Sequence, residues 1–249
     1  MTTEPDFSHL AELHTLRGQA VPRIAIALAD AAGIAGGPEL AWRNDLGGLT
    51  FRLGDRYLKW NPPSTGVDLD RERVRLEWLA PRHPAPRVLD HGTDEDRAQW
   101  LLTAALPGEL AVGDRWRARR PEAIRALADG LRAMHAIPVG DVPDWASDSW
   151  VCREPASLGP RPALVDGRVL VHGDACAPNT LISAEGRWTG NVDFGDLSVG
   201  DRWADLAVAS LSLDWNFGEG HQDELFEAYG IERDEERIRY YRALWEQES

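Results

Sequence analysis

The chain changes its hydrophobic rhythm near residue 105. Before that point apolar and polar positions alternate in short runs: Glu39–Arg43, Leu49–Leu53, Arg56–Trp60, Arg87–Asp90 and Ala98–Ala105. Alternation of this kind predicts strands. Turn chemistry separates the runs, with Asn44-Asp45-Leu46-Gly47-Gly48, Gly54-Asp55 and Gly92-Thr93-Asp94. One helix is predicted among them, over residues 68–80, where Leu69, Glu72, Leu76 and Leu79 share a face. Ahead of the strands, residues 1–37 carry helical patches (Leu10, Leu13 and Leu16) and a stop at Gly33, Gly36 and Gly37.

After residue 105 the period becomes helical. Pro121 suits a first helical position, and Ile124, Leu127, Ala128, Leu131 and Met134 follow at helical spacing. The Pro- and Trp-containing stretch 140–162 predicts a long loop or short helices. Arg168–His172 and Trp188–Asp193 read as short strands, and 201–214 and 221–229 as helices. Asp234 caps a last helix, with Glu235 and Glu236 in its first turn, where the helix dipole favours acids. The expectation is an α+β protein of two domains, residues 1–105 mainly β and residues 106–249 mainly α.

Composition narrows the partners. Lys and Arg number 27 against 41 Asp and Glu, a formal charge of −14, and no basic stripe is present to neutralise phosphates. A nucleic-acid partner is therefore not expected. The acidity permits a cationic ligand, and equally serves solubility alone. No apolar run reaches the ~18 residues of a membrane span, and the first residues lack a basic-then-apolar leader. Two cysteines, Cys152 and Cys176, make no disulfide framework. A reduced, cytoplasmic, monomeric or weakly dimeric protein without a membrane partner is the expectation.

The chemistry concentrates in two segments. His172-Gly173-Asp174-Ala175-Cys176-Ala177-Pro178-Asn179 follows the apolar run 169–171, and Val192-Asp193-Phe194-Gly195 comes after it, with Asp193 nineteen residues beyond Asp174. Phosphoryl transfer from ATP needs a partner for the acceptor proton and oxygen ligands for Mg²⁺. An Asp and an Asn five apart on one loop supply the first role and one ligand; an Asp ending a neighbouring strand supplies another. The spacing equals that of the kinase catalytic loop, HRDxxxxN, followed by DFG. A lone Asp174 would read as readily as a loop cap.

Together these segments resemble the aminoglycoside O-phosphotransferases, a family with the protein-kinase fold in which Gly replaces the kinase Arg of the loop. In pattern the chain is most similar to the 3′/3″ branch, the kanamycin and streptomycin kinases. Val192-Asp193-Phe194-Gly195 with the following residues to Ala207 matches the family's metal segment, including an Asp eight and an Asp twelve residues after Asp193, namely Asp201 and Asp205. The likeness extends over roughly residues 39–245 and implies a bilobal kinase-like fold with ATP between the lobes. It implies Asp174 as the catalytic acceptor of the substrate proton and Asn179 and Asp193 as ligands of Mg²⁺. Asp201 and Asp205 are expected to brace the loop or cap a helix, and His172 to be a packed scaffold residue. The product would be an inactivated antibiotic.

The β-rich half should hold the nucleotide. Lys59 alone is an ordinary strand-edge lysine, but Glu72 sits on an apolar helix face, where a carboxylate needs a partner. The resemblance implies that the two pair and that Lys59 meets the α- and β-phosphates. It further implies that the backbone N–H groups of Gly47 and Gly48 approach phosphate oxygens, and that the backbone of Ala104 and Leu106 meets adenine. The family often carries Ser in that loop, where this chain has Leu46 or Gly47.

A polycationic acceptor needs carboxylates. Asp144, Asp148, Glu154, Asp196, Asp214 and Glu219 are the candidates, although each taken singly reads as a solvated surface charge. Two departures stand out. The 3′ branch usually has Arg three residues after the metal Asp, where this chain has Asp196. That branch also ends in an acidic-aromatic tail, where this chain has Trp245-Glu246-Gln247-Glu248-Ser249. A kinase of the same fold for another small alcohol, and a catalytically silent protein that binds a drug or nucleotide, are the alternatives.

Overall fold

A computed structural model gives the fold and describes residues 21–248. The chain divides into two compact units. Among the described residues, one holds 21–77 together with Pro86–Ala105, the other Trp78–Ala85 together with 106–248. Residues 78–85 thus lie in the second unit, where a single cut after 105 would leave them in the first. They are held there by Arg82, which pairs with Asp141, and by His83 and Pro84, which bond to Asn191. The patches at Leu10, Leu13 and Leu16 lie outside the described residues.

The first unit is a five-stranded antiparallel sheet, β1 (Glu39–Arg43), β2 (Leu49–Leu53), β3 (Arg56–Asn61), β4 (Val88–Thr93) and β5 (Gln99–Ala104), in the order β1-β2-β3-β5-β4. Period-two burial puts Leu49, Phe51 and Leu53 on one face, where they pack with Leu58, Leu102 and Ala25 and Ala29 of α1 (Arg23–Ala31). Lys59, one residue after buried Leu58, therefore faces the opposite side, toward α2 (Leu69–Leu79).

The expected turn at Gly92-Thr93-Asp94 is a correction. Gly92 and Thr93 belong to β4, and the turn runs from Asp94 to Arg97, with Asp94 accepting from the N–H groups of Asp96 and Ala98. Gly92 reads as a turn residue, yet it is needed within the strand, because a Cβ there would lie 2.9 Å from the Trp100 ring.

The second unit carries β6 (Glu109–Leu110), β8 (Thr180–Ile182) and β9 (Trp188–Asn191) in one sheet, and β7 (Val169–Val171) paired with β10 (Ser198–Gly200) in another. Its helices are α3 (Asp114–Ala118), α4 (Arg120–His135), α5 (Trp203–Phe217), α6 (Gln222–Tyr229) and α7 (Glu235–Glu248). Residues 140–162 form three short 3₁₀ turns joined by loops. Helix α5 is apolar nearly all round and runs through the core, packed with Leu127 and Leu131 of α4, Leu225 and Phe226 of α6, and Tyr241 and Leu244 of α7. Asp234 caps α7, accepting from the N–H groups of Glu236 and Arg237. No helix of the described residues is long and apolar enough to cross a membrane.

Candidate active site

Strand β7 delivers the chain into His172-Gly173-Asp174, and a buried carboxylate takes hold of it there. Asp205, on α5 and wholly buried, accepts from the N–H groups of His172 at 2.7 Å and Gly173 at 2.9 Å. Its third partner is His135 Nε2 at 3.0 Å, and His135 Nδ1 meets the Tyr229 hydroxyl at 2.7 Å. Such satisfaction is what a buried charge requires. Gly173 is obligatory: its φ is +83°, and a Cβ would lie 2.4 Å from the Asp196 carbonyl oxygen. The His172 ring packs on Phe194, with centroids 4.7 Å apart. Its Nδ1 accepts from the Asp174 N–H at 3.2 Å, so its Nε2 carries the proton and donates to the Val192 carbonyl at 3.0 Å. His172 joins the two chemical segments as a scaffold.

Asp174, Asn179 and Asp193 converge. The Asn179 Nδ2 donates to the Asp174 carboxylate at 2.8 Å and to its carbonyl at 2.9 Å. That commits the Asn179 amide nitrogen and leaves its oxygen without a partner among the described residues. Burial, and then the negative charge of Asp193, push the Asp174 carboxyl above the usual carboxylate range. Asp193 is exposed and held at φ +68°, a left-handed conformation that is uncommon for non-glycine residues. Among the described residues no three His, Cys, Asp or Glu side chains cluster to hold a metal. One carboxylate and one open amide oxygen fit Mg²⁺ that arrives with a nucleotide, because that ion takes few protein ligands and keeps phosphates and waters.

In the first unit, Lys59 Nζ lies 2.7 and 2.8 Å from the two carboxylate oxygens of Glu72, and Glu72 is 5% exposed. The glycine turn departs from expectation. The Gly47 N–H donates to the Asn44 carbonyl and the Gly48 N–H to Asn44 Oδ1, at 3.0 and 2.6 Å, so both donors are used inside the turn. Gly47 supplies a φ of +93°, and Gly48 is buried where a Cβ would strike Asn61. These glycines shape the turn and do not offer free donors to a phosphate. In the connector, Ala104 gives its N–H to the Arg87 carbonyl, whereas the Leu106 N–H has no partner among the described residues.

The acidic candidates scatter. Asp196 lies beside the loop, its carbonyl and Cβ against Gly173. Asp144, Asp148 and Glu219 are exposed, and Glu154 pairs with Arg161 at 3.1 Å. Asp214 turns away from the loop. Ser212 faces it, accepting from the Ala177 N–H at 2.9 Å, and two residues along a helix is about 200° of rotation. Asp214 meets Gln222 instead, and its other oxygen is buried without a partner among the described residues. Asp214 was expected near the acceptor, and its observed partner is Gln222 of α6.

Two anchors escape a reading of the sequence. Trp150 is buried and donates its indole N–H to the Gly173 carbonyl at 2.8 Å, while the neighbouring Ser149 hydroxyl donates to the Asp196 carbonyl at 3.2 Å. The segment 140–162 is thereby fastened to both chemical segments. A tryptophan and a serine in a Pro-rich stretch carry no local signal of such a role.

The model of the phosphotransferase enzyme family matches residues 43–241. An aminoglycoside 3′-phosphotransferase of Streptomyces fradiae is 33% identical, covering 74% of this chain and 81% of its own. A streptomycin 3″-kinase of Streptomyces griseus is 33% identical, covering 84% and 91%. The aminoglycoside phosphotransferase APH(3″)-Id of Streptomyces rimosus, solved in complex with ADP and streptomycin, superposes with a TM-score of 0.64 at 25% identity, covering 89% of this chain and 95% of that one.

Proposed function

Because the chain belongs to the phosphotransferase enzyme family, we propose that it transfers the γ-phosphoryl group of ATP to a hydroxyl of an aminoglycoside. The observation that carries this reading is the convergence of Asp174, Asn179 and Asp193 on one braced loop and the strand end beside it. Asp174 orients the acceptor hydroxyl and takes its proton at the carboxylate as the new O–P bond forms and the bond to ADP breaks. The open amide oxygen of Asn179 and the exposed carboxylate of Asp193 hold Mg²⁺, which when bound offsets charge on the phosphates. Lys59, kept in place by Glu72, meets the α- and β-phosphates, and the Leu106 N–H is a donor for adenine. Positioning and electrostatics supply the catalysis, since phosphoryl-transfer transition states are loose.

One observation favours a second acceptor class. Asp214 points away from the catalytic loop and Glu154 is taken by Arg161, so fewer carboxylates face a polycation than the candidates suggested. A less charged alcohol is the corresponding alternative. ADP release with ATP, Mg²⁺ and kanamycin, neomycin, streptomycin, hygromycin, choline or homoserine separates the two. Turnover with an aminoglycoside, lowered roughly 10²–10⁴-fold in Asp174→Asn with ATP affinity kept, is the expected result. Near-normal turnover in that variant would remove Asp174 from the mechanism, and turnover with choline or homoserine alone would move the acceptor out of the antibiotic class.

A further inference from the structure

Asn191 ends β9, two residues before Asp193, and is 2% exposed. Its side-chain amide has four hydrogen-bonding positions, and all four are used. The oxygen lies 3.0 Å from the Trp188 indole nitrogen and 3.1 Å from His83 Nε2. The nitrogen lies 3.3 Å from the Asn179 carbonyl oxygen and 3.3 Å from the Thr180 hydroxyl. The orientation follows from chemistry: an indole N–H can only donate and a peptide carbonyl can only accept, so the amide oxygen must face Trp188 and the amide nitrogen Asn179. The His83 ring accordingly donates from Nε2.

The Asn179 carbonyl therefore has two donors, Asn191 Nδ2 and the Val192 N–H at 3.0 Å. Both come from the strand end that leads into Asp193. The Asn191 N–H in turn donates to the Pro84 carbonyl at 3.1 Å, which ties this strand end to residues 78–85. We infer that Asn191 is a positioning residue of the Mg²⁺ site, its buried amide fixing the Asn179 peptide at a set distance from Asp193. This rests on the phosphotransferase reading, in which Asn179 and Asp193 hold the ion. Asn191 touches neither metal nor nucleotide. It works by denying the two ligand-bearing segments independent movement, and partners behind a metal's ligands are worth about 10- to 100-fold in metal affinity.

The test is calorimetric titration of ADP into the full chain, with and without Mg²⁺, for wild type, Asn191→Leu and Asn191→Ser. Leu keeps the shape without the amide; Ser leaves room for water, adds no charge, and decides the matter if the Leu variant does not fold. The expected result is that metal-free ADP affinity stays within about twofold while the gain on adding Mg²⁺ falls about 10- to 100-fold. A folded variant that keeps the full Mg²⁺ gain overturns the inference, as does one that loses metal-free ADP affinity equally, since that marks general damage. A wild-type protein whose ADP affinity ignores Mg²⁺ would instead sink the phosphotransferase reading itself.

Discussion

Asp205→Asn tests how the catalytic loop is held. The carboxylate accepts three hydrogen bonds, with Oδ2 serving His172 N and His135 Nε2 and Oδ1 serving Gly173 N. An asparagine offers one oxygen and an NH₂ group. Whichever way it turns, an N–H donor faces an N–H donor, and at least one loop amide loses its partner in a fully buried place. Losing one hydrogen bond to a charged group costs about 1.5–3 kcal/mol, and those that survive weaken by about 1 kcal/mol each as the acceptor becomes neutral. The total is about 3–5 kcal/mol, a large fraction of the ~5–15 kcal/mol that holds a typical domain. Urea unfolding followed by tryptophan fluorescence reads the loss, and hydrogen exchange over residues 168–179 locates it. Turnover should fall about 10²-fold as Asp174 shifts, because misplacement near 1 Å has effects of that size. A loss below about 1 kcal/mol, with exchange at His172 and Gly173 unchanged, would show that the carboxylate does not hold the loop.

Two further outcomes follow from buried groups. Glu72→Gln removes the charge that fixes Lys59, and the ATP KM should rise about tenfold, equivalent to about 1.4 kcal/mol, with kcat little changed; an unaltered KM would remove the pair from nucleotide binding. His83 is buried and neutral, its pKa pushed down from 6.5 to about 4 by burial. The unfolded chain gains a proton there as pH falls below 6.5 while the fold does not, so stability is lost between pH 6.5 and 4, by about 3 kcal/mol in all. Unfolding at pH 7 and 4.5 should show a smaller loss in His83→Gln than in wild type, and equal losses would refute the assignment.

What was legible in the sequence was whatever the chain writes locally. The strands, the helix bearing Glu72 and the loop from His172 to Asn179 each have a period or a spacing within a few residues. Glu72 could be singled out because a carboxylate on an apolar helix face demands a cation. Asn191 could not: its partner His83 is 108 positions away, and an asparagine at a strand end looks like turn chemistry. Gly47 and Gly48 misled for a related reason. Glycine signals backbone freedom, and only the neighbouring Asn44 side chain decides whether the freed N–H groups serve a ligand or the turn. Among the acidic candidates, helix rotation separated Asp214 from the loop-facing Ser212, a distinction that composition does not carry.

The placement of residues 78–85 bears on how this protein can be cut and rejoined. The chain enters the second unit at Trp78, leaves it after Ala85, and returns at Leu106. A split-protein pair divided after Ala105 would put His83 and Pro84 on one fragment and Asn191 on the other. The larger fragment would then carry Asp174, Asn179 and Asp193 yet lack two of the partners that seat Asn191. A division before Trp78 would instead keep His83, Pro84 and Asn191 on the same fragment.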